Sequence, residues 1–372
     1  MNDTGPDSPG VRRAWGWVSH LLDGGTTPWQ QWAGLGDQRG RVLPGAQQLE
    51  LLRRLNVAGT PTPELARRVL DASAPGRGRP DLELVDAVEP LAFGPPPVDP
   101  ADLPDDELVR VATSLIADDV VAAGVPEESA TARIRPWRTR YRLVGDPELA
   151  DPMRAELVRR GRPPGGRGAT VLVLGTDTGR LMVDAWTSRC FDEGAPPWRD
   201  WVGAAVRRDR MPPRVNLVQA ARTWSATHPG RVRVVLDPSA VPRLVGVRRA
   251  LPAPTPVSAD AVDLARRVTV VLGLLAGRDR RRALVQQTLR PWLAAIPGPG
   301  LVVPAEHAEW LERRAVRMRA ALSRAGYPVH GDLDTLLPPG GAGHGVAHPT
   351  DSGTLALAIR LLLDEPVRSS TR

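Results

Sequence analysis

Apolar residues recur every three to four positions along much of the chain, the spacing that lays them on one face of a helix. Trp15, Val18, Leu21 and Leu22 predict a helix over 11–23, stopped by Gly24-Gly25. Leu49, Leu51, Leu52 and Leu55 predict a second near 45–56, and Leu65, Val69 and Leu70 a third near 62–72. Leu108, Val111, Leu115 and Val120 give a fourth over 104–123. From about residue 140 the pattern changes. Tyr141–Val144, the apolar run 170–174 (TVLVL), Arg231–Leu236, Leu301–Val303 and Tyr327–His330 read as strands. Helical spacing returns between and after them at 148–160, 178–190, 198–208, 215–226, 258–275, 279–295, 304–325 and 353–363. This alternation predicts an α/β fold with a mostly parallel sheet flanked by helices, preceded by an N-terminal helical domain. The TVLVL run fits a strand buried on both faces.

Punctuation between the periodic stretches sets the expected domains. Residues 1–10 are polar and turn-rich and are expected to be disordered. A helical domain spans 11–95, with a loop at 75–81. Pro95-Pro96-Pro97 opens an acidic connector and helix over 96–135. The α/β domain covers 136–338, and a Gly/Pro-rich, mobile tail with a short helix covers 339–372.

Composition narrows the chemistry. All 49 basic residues are arginine, so every activity that needs a lysine is excluded: Walker A phosphate binding, the kinase strand lysine, Schiff-base catalysis. The net charge of +7 can attract polyanions. However, acidic residues crowd 86–130 and arginines crowd 133–142, so the two stretches can pair within the fold, and nucleic acid is not expected as a partner. Cys190 is the sole cysteine, which excludes internal disulfides and Cys-cluster zinc sites. The start of the chain lacks signal-peptide character, and the longest uncharged apolar run, Val268–Ala276, falls short of the ~20 residues that span a bilayer. A cytoplasmic protein without a membrane span is expected.

Ligands of α/β sheets gather at the carboxyl ends of strands. Two junctions there carry candidate chemistry. Gly145-Asp146-Pro147 opens helix 148–160, where Asp146, Glu148 and Asp151 complement the helix dipole. Gly175-Thr176-Asp177-Thr178-Gly179 follows TVLVL, with Asp177 or Thr178 as helix cap. Trp29 and Trp32, beside glycines, read as a surface pair able to stack on a ligand, whereas Trp186, Trp201, Trp224 and Trp310 have core spacing. His344 and His348 are four apart but lie in a Gly/Pro loop, so no metal site is expected.

Trp186, Gly194, Pro197, Trp198 and Trp201 follow one another in an order that resembles the middle of actinobacterial sulfotransferase-family proteins. Trp224 with Gly230-Arg231-Val232-Arg233-Val234-Val235 resembles that family's next helix and strand. So do Trp310-Leu311-Glu312-Arg313-Arg314-Ala315, Gly331-Asp332-Leu333-Asp334 and Leu337-Pro338. The resemblance covers roughly 140–338. It implies a P-loop-related fold and a site for the sulfate donor PAPS formed by Gly145, Asp146, Thr176, Asp177 and Asp184, in a cleft also lined by Trp186. Here carboxylates stand where the family has a cation and hydroxyls: Gly145–Asp151 replaces the phosphate loop, Thr176 an arginine and Asp184 a serine. PAPS is therefore expected only if arginines such as Arg180 or Arg231 rebuild the site. The function implied is a catalytically degenerate sulfotransferase-like protein for a glycan or small molecule. The alternatives are a non-enzymatic scaffold, binding a protein through Trp29 and Trp32 or the 133–142 arginines, and an arginine-rich polyanion binder.

Overall fold

The computed structural model describes residues 8–36, 42–72, 81–87, 95–126, 140–166, 168–339 and 345–364. In chain order its helices and strands are α1 (Pro9–Leu22), α2 (Ala46–Ala58), α3 (Pro63–Asp71), α4 (Asp105–Ala123), β1 (Tyr141–Gly145), α5 (Pro147–Arg159), β2 (Thr170–Leu174), α6 (Thr178–Cys190), α7 (Trp198–Arg207), α8 (Leu217–Thr227), β3 (Val232–Val235), α9 (Val241–Leu244), α10 (Ala259–Leu275), α11 (Arg278–Leu284), α12 (Arg290–Ala294), β4 (Gly300–Leu301), α13 (Ala308–Ala325), β5 (Val329–His330), β6 (Gly345–Val346) and α14 (Asp351–Leu363). Most of the 75–81 loop, Arg133, Arg135, Arg138 and His344 lie outside the described residues.

The chain divides into two compact units, neither of them contiguous. One comprises 1–126, 263–295 and 350–372, the other 127–262 and 296–349. The helices over 263–295, expected inside the α/β domain, and the expected tail helix α14 both join the N-terminal helices.

In the helical unit, α14 packs on α4 and α2. Leu108, Val111, Leu115 and Val120 of α4, whose spacing predicts that helix, are buried, and so are Leu355, Ile359 and Leu362 of α14. Arg267 on α10 ties three chain segments together. Its Nε donates to Asp263 Oδ2 at 2.7 Å, and its terminal nitrogens donate to Asp106 and Asp351. The predicted helix 279–295 is broken by a π turn at Val285–Leu289. Arg290 there donates to Val285 O, five residues back, just before Pro291, which has no N–H to continue the ladder. At the other end, α1 begins inside the stretch expected to be disordered: Ser8 Oγ accepts from Val11 N at 3.2 Å, and Pro9 fits the first turn.

Trp29 and Trp32 are not a surface pair. Trp29 is buried 5.4 Å from Trp17, its indole N–H donates to Val85 O, and the Arg13 guanidinium lies 3.9 Å from the ring centroid. Trp32 stacks on His20 at 4.5 Å and donates to Arg13 O. Arg13 in turn donates to both tryptophan carbonyls. The glycines nearby allow close packing: Gly16 and Gly36 approach so closely that a Cβ on either would meet the other's backbone within 2.8 Å.

The α/β unit holds a four-stranded, wholly parallel sheet in the order β1-β2-β3-β5. Leu143, Leu172 and Leu174 face Leu149, Met153 and Leu157 of α5, with Val241 and Val245 closing the same core. Leu217 of α8 closes on Gly175 from the other side of the pleat, where a Cβ would meet it at 2.3 Å. A two-stranded parallel pair, β4 with β6, was not foreseen: Gly345-Val346, within the expected tail, pairs with Gly300-Leu301. No helix among the described residues is long and apolar enough to cross a membrane.

Candidate functional site

The sheet order follows the chain order, so among the described strands there is no reversal point of the kind that opens a ligand crevice in doubly wound sheets. The two predicted junctions do meet, because β1 and β2 are neighbours and α5 packs on α6. At Gly145, φ is +96°, and the chain turns sharply enough for Asp146 N to donate to Leu174 O at 3.0 Å. Asp146 then caps α5: its Oδ1 accepts from Glu148 N at 2.9 Å. Asp177 caps α6 in the same way, accepting from Arg180 N at 2.9 Å. Thr178 is fully buried in the first turn of α6, and Thr176 is half-buried.

Asp146 and Asp184 are both buried and lie against one another, with Glu148 buried nearby. Burial raises the pKa of Asp146, and burial together with the Asp146 charge raises that of Asp184. Arg180 answers this charge through Nε, 3.0 Å from Asp184 Oδ2. Burial works against the guanidinium, but Asp184, Asp146 and Glu148 hold its pKa above the ordinary value.

These residues do not fit PAPS. A phosphosulfate at these helix N-termini would meet the chain's own capping carboxylates, Asp146 on α5 and Asp177 on α6, with Glu148 and Asp184 buried beside them, and like charge repels it. Neither arginine rebuilds the site. Arg180 is committed to Asp184, and Arg231 precedes β3, at the opposite end of the strands, where it donates to Gly168 O. Trp186 is also unavailable to a ligand. It is fully buried, tilted against Trp198 at 5.3 Å, and its N–H donates to Pro196 O. What the junction can do chemically is hold a proton between two carboxyls.

That proton has a consequence for stability. Above the ordinary carboxylate range the unfolded chain ionises while the folded pair still holds protons, so unfolding gains as pH rises. The melting midpoint is expected to fall from about pH 5 to about pH 8 more steeply for the natural protein than for Asp184→Asn, with about 3 °C regained at the upper end per kcal/mol recovered. Parallel pH profiles for the two proteins would contradict this.

A different set of residues surrounds open space. At the far end of α5, Arg159, Arg160 and Arg162 meet Arg248 and Arg249 around a cleft of about 570 Å³, with Glu156 the one carboxylate in its wall. Local rules build it. Arginines favour the negative end of a helix. Gly161, at φ +70°, ends α5 with Gly161 N donating to Val158 O and Arg162 N to Leu157 O. The Tyr141 hydroxyl then donates to Arg162 O at 2.7 Å, and Arg162 donates to Val245 O at 2.5 Å, which anchors the opposite wall. Gly246, at φ +68°, turns that wall so that Arg248 and Arg249 follow on the rim.

Glu156 is shared by Arg159 and Arg160, whose hydrogen bonds pull its pKa down, so it neutralises at most one of the five cations. The sequence signal for this cleft was two short arginine groups beside glycines, 159–162 and 246–249. Against 49 arginines they did not stand out.

Among the described residues no group of three or more His, Cys, Asp or Glu side chains could hold a metal ion. No family model matches the chain, and neither a curated protein nor a solved structure matches it.

Proposed function

We propose that the protein is an anion-recognition module and not a sulfuryl transferase, and that its ligand is a compact polyanion bearing several phosphate or sulfate groups. The observation that carries this reading is the cleft of about 570 Å³ at the end of α5, where five arginines outnumber one carboxylate. Arg159 and Arg160 are held by Glu156, Arg160 also reaches the Arg249 and Ala250 carbonyls, Arg162 donates to Val245 O, and Arg248 and Arg249 are exposed on the rim. Guanidinium forks bind phosphate and sulfate oxygens in pairs, and a concave wall holds several forks on one ligand. The strand junctions that resemble the sulfotransferase donor site serve the fold instead: their carboxylates close α5 and α6.

Calorimetric titration with inorganic tripolyphosphate tests the proposal. Saturable one-to-one binding is expected, weakening steeply with salt, and falling by about tenfold or more in Arg248→Glu/Arg249→Glu, since each lost charge-assisted contact carries up to about 1.5–3 kcal/mol. Equal binding by the variant would remove the cleft from the argument. A saturable stabilisation by PAP, the desulfated donor, without one by tripolyphosphate would restore the transferase reading.

A further inference from the structure

The helical unit exposes a group of three neighbouring aliphatic side chains on α10. α10 buries Leu264, Val268 and Leu272 along one face. Its last two turns leave Val270 59%, Leu274 54% and Leu275 49% exposed. Val270 and Leu274 are one helical turn apart on the same side, and Leu275 adjoins them. After Ala276 and Gly277, α11 begins with Arg278-Asp279-Arg280-Arg281-Arg282, of which Arg278, Arg280 and Arg282 are exposed. Arg278 and Arg280 have no carboxylate partner among the described residues. Three bulky aliphatic side chains are therefore followed closely along the chain by the exposed Arg278 and Arg280, with Arg281 half-buried against Gly273 and Asp279 the single carboxylate among them.

We infer that this corner of α10 and α11 docks the protein on a membrane surface rich in anionic headgroups. The inference is independent of the cleft on the α/β unit. Guanidiniums pair with headgroup phosphates, and their long stems lie along apolar surface while the charge stays at the interface. The valine and leucines reach the boundary of the acyl chains, the division of labour found in helices that lie on a bilayer without crossing it.

Charge complementarity sets the sign of the partner, and side-chain type argues against nucleic acid. The stretch 268–284 contains no tryptophan, tyrosine or phenylalanine on which bases would stack, while its leucines and valine suit an acyl-chain boundary. A nucleic acid would also leave the three aliphatic side chains in water.

Flotation of the full chain with vesicles tests this. The protein is expected to float with phosphatidylcholine vesicles carrying about 30 mol% phosphatidylserine and not with phosphatidylcholine alone. Leu274→Ser/Leu275→Ser is expected to reduce the bound fraction about tenfold while keeping the melting midpoint, because both side chains are exposed. Arg278→Glu/Arg280→Glu is expected to do the same, and Arg248→Glu/Arg249→Glu, in the cleft, to leave flotation unchanged. Undiminished flotation of the serine variant would reduce the effect to bulk charge and overturn the inference. So would equal binding to neutral vesicles, or no binding by a natural protein that instead self-associates through these leucines.

Discussion

Alanine at position 145 is expected to destabilise the α/β unit by about 3–4 kcal/mol, more than most single substitutions. Two costs add there. The backbone has φ +96°, which an L side chain adopts at a cost of about 1–2 kcal/mol. The new Cβ would also stand 2.2 Å from Leu174 O, an atom that belongs to the neighbouring strand and cannot rotate away. Relief requires β1 and β2 to separate where Asp146 N donates to Leu174 O, and the Asp146 cap of α5 moves with it. Gly230→Ala is the matched control. Its φ is +70°, but nothing lies within 4 Å of its Cβ position, so only the backbone cost of about 1 kcal/mol applies. Denaturant midpoints for the two variants decide the matter, and equal losses would show that the approach of the two strands is not the cause.

Arg267→Met is expected to cost the helical unit about 2–3 kcal/mol. Truncating one partner of a buried ion pair costs about 3–5 kcal/mol. Here Asp263 keeps Arg266, at 2.7 Å, and Asp106 and Asp351 are about half exposed and rehydrate, which lowers the figure. Arg267→Lys is expected to recover only part of the loss, because one ammonium cannot serve carboxylates in three directions. Arg313→Ala, which breaks an exposed pair with Glu309, sets the scale of a surface contact at under about 1 kcal/mol. A denaturation profile of Arg267→Met that overlays the natural one would remove this residue as a tie.

The sequence made local structure legible and left its partners hidden. The β2 strand and α6 fell where TVLVL and the Asp177 cap put them, because a continuous apolar run and a capping carboxylate are local signals. Periodicity likewise found α10, yet it says only which face is apolar, not what covers it, so the helices of 263–295 were expected beside the sheet and instead build the other unit. Asp146 and Asp184 were brought together in the sequence only by the sulfotransferase resemblance, and that their pKa values rise together depends on a burial no spacing reveals. Trp29 misled because neighbouring glycines suggested a loop at the surface, while Arg13 and Trp17, brought in by α1, enclose it. The cleft arginines come from segments some ninety residues apart, and only the fold makes them a set.

The pairing of α4 with α14 has a consequence for how the chain acquires its structure. These helices lie more than two hundred residues apart, and everything the sheet needs is encoded between them. On a ribosome, α1 to α4 emerge first but have no α14 to cover the apolar face of α4, and every described strand is synthesised before α14. The helical unit, begun first, is completed last, and its closure bears the entropy of a loop as long as a whole domain. Nascent chains released before residue 351 should therefore contain a protease-resistant sheet flanked by digestible helices, and chaperones that shield exposed leucines would find their binding site on α4.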